Sequence, residues 1–360
     1  MPEFEFFMYQ DNLPLEKDSA AWNAFLPLDR KASSPSSDTA LSYGGYFLAL
    51  QAFSDKQFPD AEKISVCIRK HGEFYHPARA EILKDGKSAC FVINAAVSDI
   101  GKHCIEREYL LLKALGSLVF PPFIPEVYAI DRIQLEDGRE IPMFSGQWFD
   151  DYHEFHLSQN SDGSAGLLVW DTDKGNYFLS ENQALSLYQQ AAKILTLYYN
   201  PDTFEQIFPW HHAAGDFVVK CDDAHRIDVK LITVRQYVSP MECEENDPEA
   251  VMGGLLAFLI NLSIRMRLDR ADGVGEIVWA DEIALKGTVQ GFSDALRLKA
   301  SCPEKAFRNY IASWSEEDLS EMAEAIVGSY HPQSPEIPVI KKHLKSHIAR
   351  LSKLIQCPAA

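Results

Sequence analysis

Paired cysteines and basic charge are what this sequence has least of. Its seven cysteines, Cys67, Cys90, Cys104, Cys221, Cys243, Cys302 and Cys357, are odd in number and widely spaced, and no Cys-x-x-Cys occurs. That pattern speaks against a structural zinc site and predicts reduced thiols in a cytoplasm. Lys and Arg number 34 against 52 Asp and Glu, a net charge of −18. Such a field repels phosphate backbones and anionic membrane surfaces, so nucleic acid is not an expected partner. No run of about eighteen apolar residues is present. The longest, residues 251–260, is too short and contains Gly253 and Gly254, so no membrane span is expected. The N-terminus, Met1-Pro2-Glu3-Phe4-Glu5, is acidic where a secretory signal is basic, which again predicts the cytoplasm. No Gly-x-Ser-x-Gly supports serine hydrolysis, and no internal repeat suggests a solenoid.

What the chain does have is material for a core. Of 360 residues, 46% are hydrophobic, 11% aromatic and only 24% charged, enough for one large domain or two modest ones. Residues 1–60 are mixed in pattern and read as an N-terminal extension, with a Ser/Pro-rich hinge at 31–38. From residue 61 the apolar period becomes two. Ile64, Val66 and Ile68, then Ala78, Ala80 and Ile82, then Cys90-Phe-Val-Ile93 read as an antiparallel meander, with a turn at Lys84-Asp85-Gly86-Lys87. The period then turns helical through Ile105, Tyr109, Leu112 and Leu115, with Gly116 as its stop. Glu126-Val-Tyr-Ala-Ile130 and Ile141-Pro-Met-Phe144 read as two more strands around Asp137-Gly138.

After residue 150 the pattern is mostly helical, over 182–199, over 248–268 and from about 339 to the end. A strand pair, Phe217-Val-Val219 and Asp228-Val-Lys-Leu-Ile232, interrupts it. The last helix sets Ile340, Leu344, Ile348, Leu351 and Ile355 on one face and Lys341, Lys342, Lys345 and Arg350 on the other, as a helix docked on the body would. The expected class is α+β: a small β-rich lobe over 61–150 and a larger, mostly helical lobe over 151–360.

This order of elements, with three short segments, resembles the two-lobed protein-kinase-like fold, and within it the aminoglycoside-phosphotransferase branch. The first segment, Arg107-Glu108-Tyr109, resembles the helix whose glutamate pairs with a strand lysine, so the resemblance gives Glu108 that role. The lysine itself is replaced: the third strand reads Phe91-Val-Ile-Asn94, and the neutral amide of Asn94 cannot hold phosphates by charge. Arg79, on the second strand, can supply a cation to the same space or be an ordinary surface arginine. The second segment, Pro209-Trp-His211-His212-Ala-Ala-Gly215-Asp216-Phe217, aligns the metal-binding asparagine of the family with Asp216 and its catalytic aspartate with His211. An aspartate can bind Mg²⁺ and a histidine can take a hydroxyl proton near neutral pH. The third, Val229-Lys-Leu-Ile-Thr233, carries Thr233 where the family has its main Mg²⁺ ligand, and Asp228 falls on the opposite strand face. The glycine-rich phosphate loop is replaced by Lys70-His-Gly72-Glu73-Phe-Tyr-His-Pro77, with one glycine and an acidic residue that repels phosphate.

Two readings follow. In the preferred one the chain is a kinase-like protein with a degenerate active site, a regulatory or binding module for a protein partner or a weakly held nucleotide. In the other it is a divergent ATP-dependent phosphotransferase on a small molecule or protein, using ATP and Mg²⁺, with His211 as base, Asp216 as metal ligand and Arg79, Asn94, Glu108 and Thr233 around the nucleotide. Elsewhere, His153 and His156 in Asp150-Asp151-Tyr-His153-Glu154-Phe-His156 form a His-x-x-His that chelates a transition metal if both rings face one way. Arg265 and Asp269, four apart, are expected to pair on a helix surface. Glu242, Glu244, Glu245 and Asp247 would favour the N-terminal end of the helix that follows.

Overall fold

The computed structural model describes every residue except 1, 10–12, 28–40, 69, 73, 161–162, 212–214, 241–246, 300–303 and 357–360. The expected hinge at 31–38, and Glu73, His212, Glu242, Glu244 and Glu245, lie outside the described residues. The chain divides into two compact units, Met1–Ser117 with Pro125–Asp150, and Leu118–Ile124 with Asp151–Ala360.

The first unit is a six-stranded sheet with helices. Its elements run β1 (Glu3–Met8), α1 (Ala20–Asn23), α2 (Tyr43–Gln57), β2 (Lys63–Ile68), β3 (His76–Lys84), β4 (Lys87–Ala95), α3 (Asp99–Leu115), β5 (Val127–Gln134) and β6 (Glu140–Gln147). The spatial order is β1-β2-β3-β4-β6-β5. The meander is as the period-two pattern predicts. Asp85 and Gly86 both take positive φ, 51° and 68°, the two-residue turn whose twist matches its strands. Ile64, Val66, Ile68, Ala78, Ala80, Ile82, Ile93 and Ala95 all fall on one face and pack with Phe6, Phe47, Leu50 and Phe53 in a single core. The N-terminal β1 and α2 thus contribute a strand and a covering helix to the same unit as β2 to β6. β1 lies parallel to β2, the long crossover between them carrying α1 and α2. α3 starts at the N-cap Ser98, whose hydroxyl accepts from the Gly101 N–H, and ends at Gly116.

The second unit opens with β7 (Phe155–Gln159), β8 (Ala165–Val169) and β9 (Tyr177–Phe178), an antiparallel three-stranded sheet. The sequence reading expected mostly helix here. In β7 Phe155, His156, Leu157 and Ser158 are all buried, so no alternation of polar and apolar residues announces it. There follow α4 (Glu181–Tyr198), β10 (Gln206–Ile207), the hairpin β11 (Phe217–Cys221) and β12 (Ile227–Leu231), β13 (Tyr237–Val238), α5 (Pro248–Arg265), β14 (Leu268–Arg270), β15 (Ile277–Trp279), α6 (Glu282–Leu298), α7 (Glu304–Ile311), α8 (Glu316–Gly328) and α9 (Ile337–Gln356). α4 and α6 approach closely because Gly287 and Gly291 face α4. A Cβ on Gly291 would lie 2.0 Å from the carbonyl oxygen of Gln189. Gly254 likewise admits the ring of Phe204. The carboxylate of Asp247 caps α5 by accepting from the Glu249 N–H. By length and composition α5 could cross a membrane. In this fold Leu255, Leu256, Leu259, Ile260 and Leu262 bury it in the second unit. α9 is docked through the five apolar residues its pattern names, all buried.

One local expectation is corrected. Arg265 and Asp269 do not form a surface pair, because α5 ends at Arg265 and Asp269 belongs to β14. Both are buried, and they serve different partners: Arg265 faces Glu336, and Asp269 accepts the Leu157 N–H at 2.6 Å.

Candidate functional site

In the second unit the segment before β11 and the segment after β12 are held together by one carboxylate. Asp216 is 1% exposed. Its Oδ1 accepts from the Thr233 hydroxyl at 2.8 Å. Its Oδ2 accepts from the His211 backbone N–H at 2.8 Å and from the Arg235 guanidinium at 2.6 Å. Its backbone carbonyl accepts from the Ile232 N–H. Three of the residues singled out by sequence, His211, Asp216 and Thr233, therefore do converge. The contact from His211 comes from its backbone, however, and a cation that sequence reasoning missed, Arg235, occupies Oδ2. A charge-assisted pair on a buried carboxylate is strong only while every partner stays in place.

Beside it sits a second buried ion pair. The Arg265 guanidinium lies 3.2 Å from Glu336 Oε2 and within 5.2 to 6.0 Å of the ring centres of Phe208, Tyr330 and Trp210. A desolvated cation held by aromatic faces is favourable. Here it fixes the segment 208–211 against α5. The His211 ring is 45% exposed, with Nδ1 3.9 Å from Glu336 Oε1, beyond hydrogen-bonding reach. Desolvation first, and then the Arg265 charge, lower the pKa of His211 from its ordinary value, against the opposing pull of Glu336. The ring is therefore neutral at pH 7. Asp228 is taken by the Tyr152 hydroxyl at 2.5 Å and by Lys230 at 3.1 Å.

The two histidines of the His-x-x-His do not face one way. The Nε2 of His153 is 3.6 Å from Asp171, whereas His156 lies 3.8 Å from Asp269 and packs on Trp170. The His153 backbone pairs with Val219 on β11. Among the described residues no group of three or more His, Cys, Asp or Glu is placed to hold a metal ion.

Arg79, Asn94 and Glu108 belong to the first unit. Arg79 pairs across the sheet with Val92, and Asn94 with Pro77 and Phe144, so Arg79 and Asn94 share one face, turned away from the α2 core. The guanidinium of Arg79 donates to Glu81 Oε2 at 3.1 Å and to Cys90 Sγ at 2.8 Å. Glu108 is 3% exposed, on the buried side of α3 next to Tyr109, which packs on Phe144. The connection between β2 and β3, where a phosphate loop would lie, is built into the unit. The Nε2 of His71 meets the hydroxyls of Tyr9 and Tyr43 at 2.5 and 3.0 Å, and its Nδ1 meets His76 Nδ1 at 3.0 Å. On its other side the Phe74 carbonyl packs so closely on α3 that a Cβ on Gly101 would lie 2.1 Å from it.

The fold is α+β, and after β1, α1 and α2 its order of three strands, a helix and two strands before a larger helix-rich unit is that of a protein-kinase-like fold. No protein-family model matches the chain, and no curated protein does. Among solved structures it is similar to WaaP in complex with acyl carrier protein, at 10% identity and TM-score 0.28, covering 71% of this chain and 86% of that one. It is also similar to the Drosophila melanogaster PAN3 pseudokinase, at 9% identity and TM-score 0.30, covering 78% of this chain. It spans 63% of the length of that PAN3 chain. Likenesses at those TM-scores carry no argument about function, and the kinase-like reading rests on strand order and the position of α3.

Proposed function

We propose that this kinase-like protein does not transfer phosphate and acts as a binding or regulatory module, its former metal site turned into an internal ion pair. The observation that carries the reading is Arg235 on Asp216. A carboxylate that holds Mg²⁺ must keep its oxygens open to the ion. Here one oxygen accepts from Thr233, and the other from His211 and a guanidinium whose charge already answers its own. A bound divalent ion would have to displace Arg235 and leave that cation without its carboxylate.

The first unit supports the same reading. Asn94 stands in place of the lysine, Arg79 is committed to Glu81 and Cys90, and the β2–β3 connection is tied down by His71 and Gly101. The competing reading, a divergent ATP-dependent phosphotransferase, has one observation in its favour: a neutral His211 could accept a hydroxyl proton. It also needs Asp216 and Arg79 to abandon their present partners. A cytoplasmic setting agrees with Cys67, Cys90, Cys104 and Cys221, which carry no disulfide.

His211→Ala separates the readings. The imidazole makes no hydrogen bond that the fold relies on, because it is the backbone N–H that serves Asp216, so the variant should melt close to the wild type. Neither protein should turn over ATP. Wild-type turnover that falls about a hundredfold or more in a normally melting His211→Ala variant would establish the enzyme reading instead.

A further inference from the structure

Two arginines are buried among the described residues, Arg265 and Arg267, and only the first has a carboxylate. Arg267 is 5% exposed. Its Nε donates to the Ala280 carbonyl at 2.8 Å, and its guanidinium lies 4.9 Å from the ring centre of Trp279. Among the described residues its two amino groups have no hydrogen-bond or ion-pair partner. A buried cation without a counter-charge is costly. Burial first, and then the Arg350 charge, push its pKa down to about 10, so it stays charged at pH 7. The contacts of residues 279–282 show what surrounds it. Trp279 stacks on His343 at 5.3 Å and meets His347 edge-on at 5.5 Å, both on α9. Ala280 holds Arg267, and the next residue, Asp281, is the N-cap of α6. The two acids of this stretch are already engaged. Asp281 accepts from the Ile283 N–H at 3.0 Å, and Glu282 pairs with Arg350. The Asp281 charge pulls the pKa of Arg267 upward but forms no ion pair with it.

We infer that Arg267 anchors a binding site for a small carboxylic acid at the N-terminal end of α6. A guanidinium whose amino groups are unmatched presents a planar fork that fits a carboxylate by two parallel hydrogen bonds, and the helix end adds positive potential. Trp279 and His343, both half-buried, stand beside it and offer flat faces to the body of the acid. Charge selects the carboxylate over phosphate. One unmatched positive charge answers a monoanion. A phosphate group carries about −1.5 to −2 at pH 7 and would face Asp281 and Glu282, as would the polyphosphate of ATP. The net charge of −18 gives the chain no general affinity for anions, so saturable binding reports a dedicated site. The inference does not depend on whether Asp216 can hold a metal.

The test is calorimetric titration of the full chain at pH 7 with sodium acetate, sodium benzoate and inorganic phosphate, at matched ionic strength. The wild type is expected to bind a carboxylate saturably at a single site per chain, and phosphate more weakly. Arg267→Met removes the charge and should abolish binding. Arg267→Lys keeps the charge without the fork and should bind about tenfold more weakly or worse. Melting shows whether each variant folds. Glu282→Gln, at an exposed position, keeps the test decisive if the Arg267 variants do not fold. It removes an acid and releases Arg350, so the affinity for phosphate should rise relative to acetate. A wild type that binds neither carboxylate saturably, or that prefers phosphate, would overturn the proposal. So would undiminished binding in a folded Arg267 variant, or an unchanged preference in Glu282→Gln.

Discussion

Asp216→Ala should destabilise the second unit by about 3–5 kcal/mol, the usual result of removing one partner of a buried ion pair. The guanidinium of Arg235 would lose its carboxylate, and the Thr233 hydroxyl and His211 N–H would lose their acceptor. Asp216→Asn keeps the shape and an acceptor oxygen but not the charge, so it should fall between alanine and the wild type. For a unit of this size the alanine variant should melt roughly 10 °C lower or more. An active-site metal ligand behaves differently: its removal abolishes turnover while leaving stability near or even above the wild type. Denaturant unfolding of the two variants separates a structural carboxylate from a catalytic one. Wild-type stability in both would mean that Arg235 and Thr233 do not depend on Asp216.

Acid should begin to destabilise both units below pH 6.5, before most of their carboxylates protonate. His347 is 0% exposed, and burial first, then the Arg267 charge, push its pKa down to about 3. Its Nε2 meets the Ser263 hydroxyl at 2.9 Å, and its Nδ1 has no hydrogen-bond partner. A proton added there would be a buried N–H with no acceptor beside a cation. In the first unit His76, 1% exposed, is likewise pushed down to about 3, by burial and then by His71. Both pKa values are depressed, so the folded chain binds fewer protons than the unfolded one below pH 6.5. Their contribution is intact above that value and is lost as pH falls toward 3. At pH 4.5 the loss is about 2–3 kcal/mol per histidine, from 1.4 kcal/mol per unit. His347→Leu isolates one of them. Ser263 still donates to the Ile260 carbonyl, and the variant should lose stability less steeply between pH 7 and 4.5 than the wild type. Parallel pH profiles for the two proteins would contradict the assignment.

Much of the first unit was legible in the sequence because its strands alternate and its turns carry Asp85-Gly86 and Asp137-Gly138, both local signals. β1 alternates in Glu3-Phe4-Glu5-Phe6 but has little else to mark it; its partner β2 lies about sixty residues away, and parallel pairing leaves no turn signature between the two. β7 was hidden because burial on both faces removes the alternation, and its histidine drew attention as a ligand instead. At the candidate site the motif singles out Asp216 and Thr233, and the two are in direct contact. Arg235, two residues beyond Thr233, carries no motif of its own, and only the fold shows that it reaches Asp216. Helical spacing pairs Arg265 with Asp269 only if the helix continues, and α5 stops at Arg265. Its actual partner, Glu336, lies 71 positions away and no local pattern announces it.

Melting the wild type with millimolar ATP, with and without Mg²⁺, tests most directly whether an internal cation stands where a metal-bound nucleotide would. A ligand present at about a hundred times its dissociation constant stabilises by about 2.7 kcal/mol. No shift is expected in either condition, because Arg235 holds Asp216 and Asn94 stands where the resemblance places a lysine. A rise of several degrees that disappears when Mg²⁺ is withheld would contradict it.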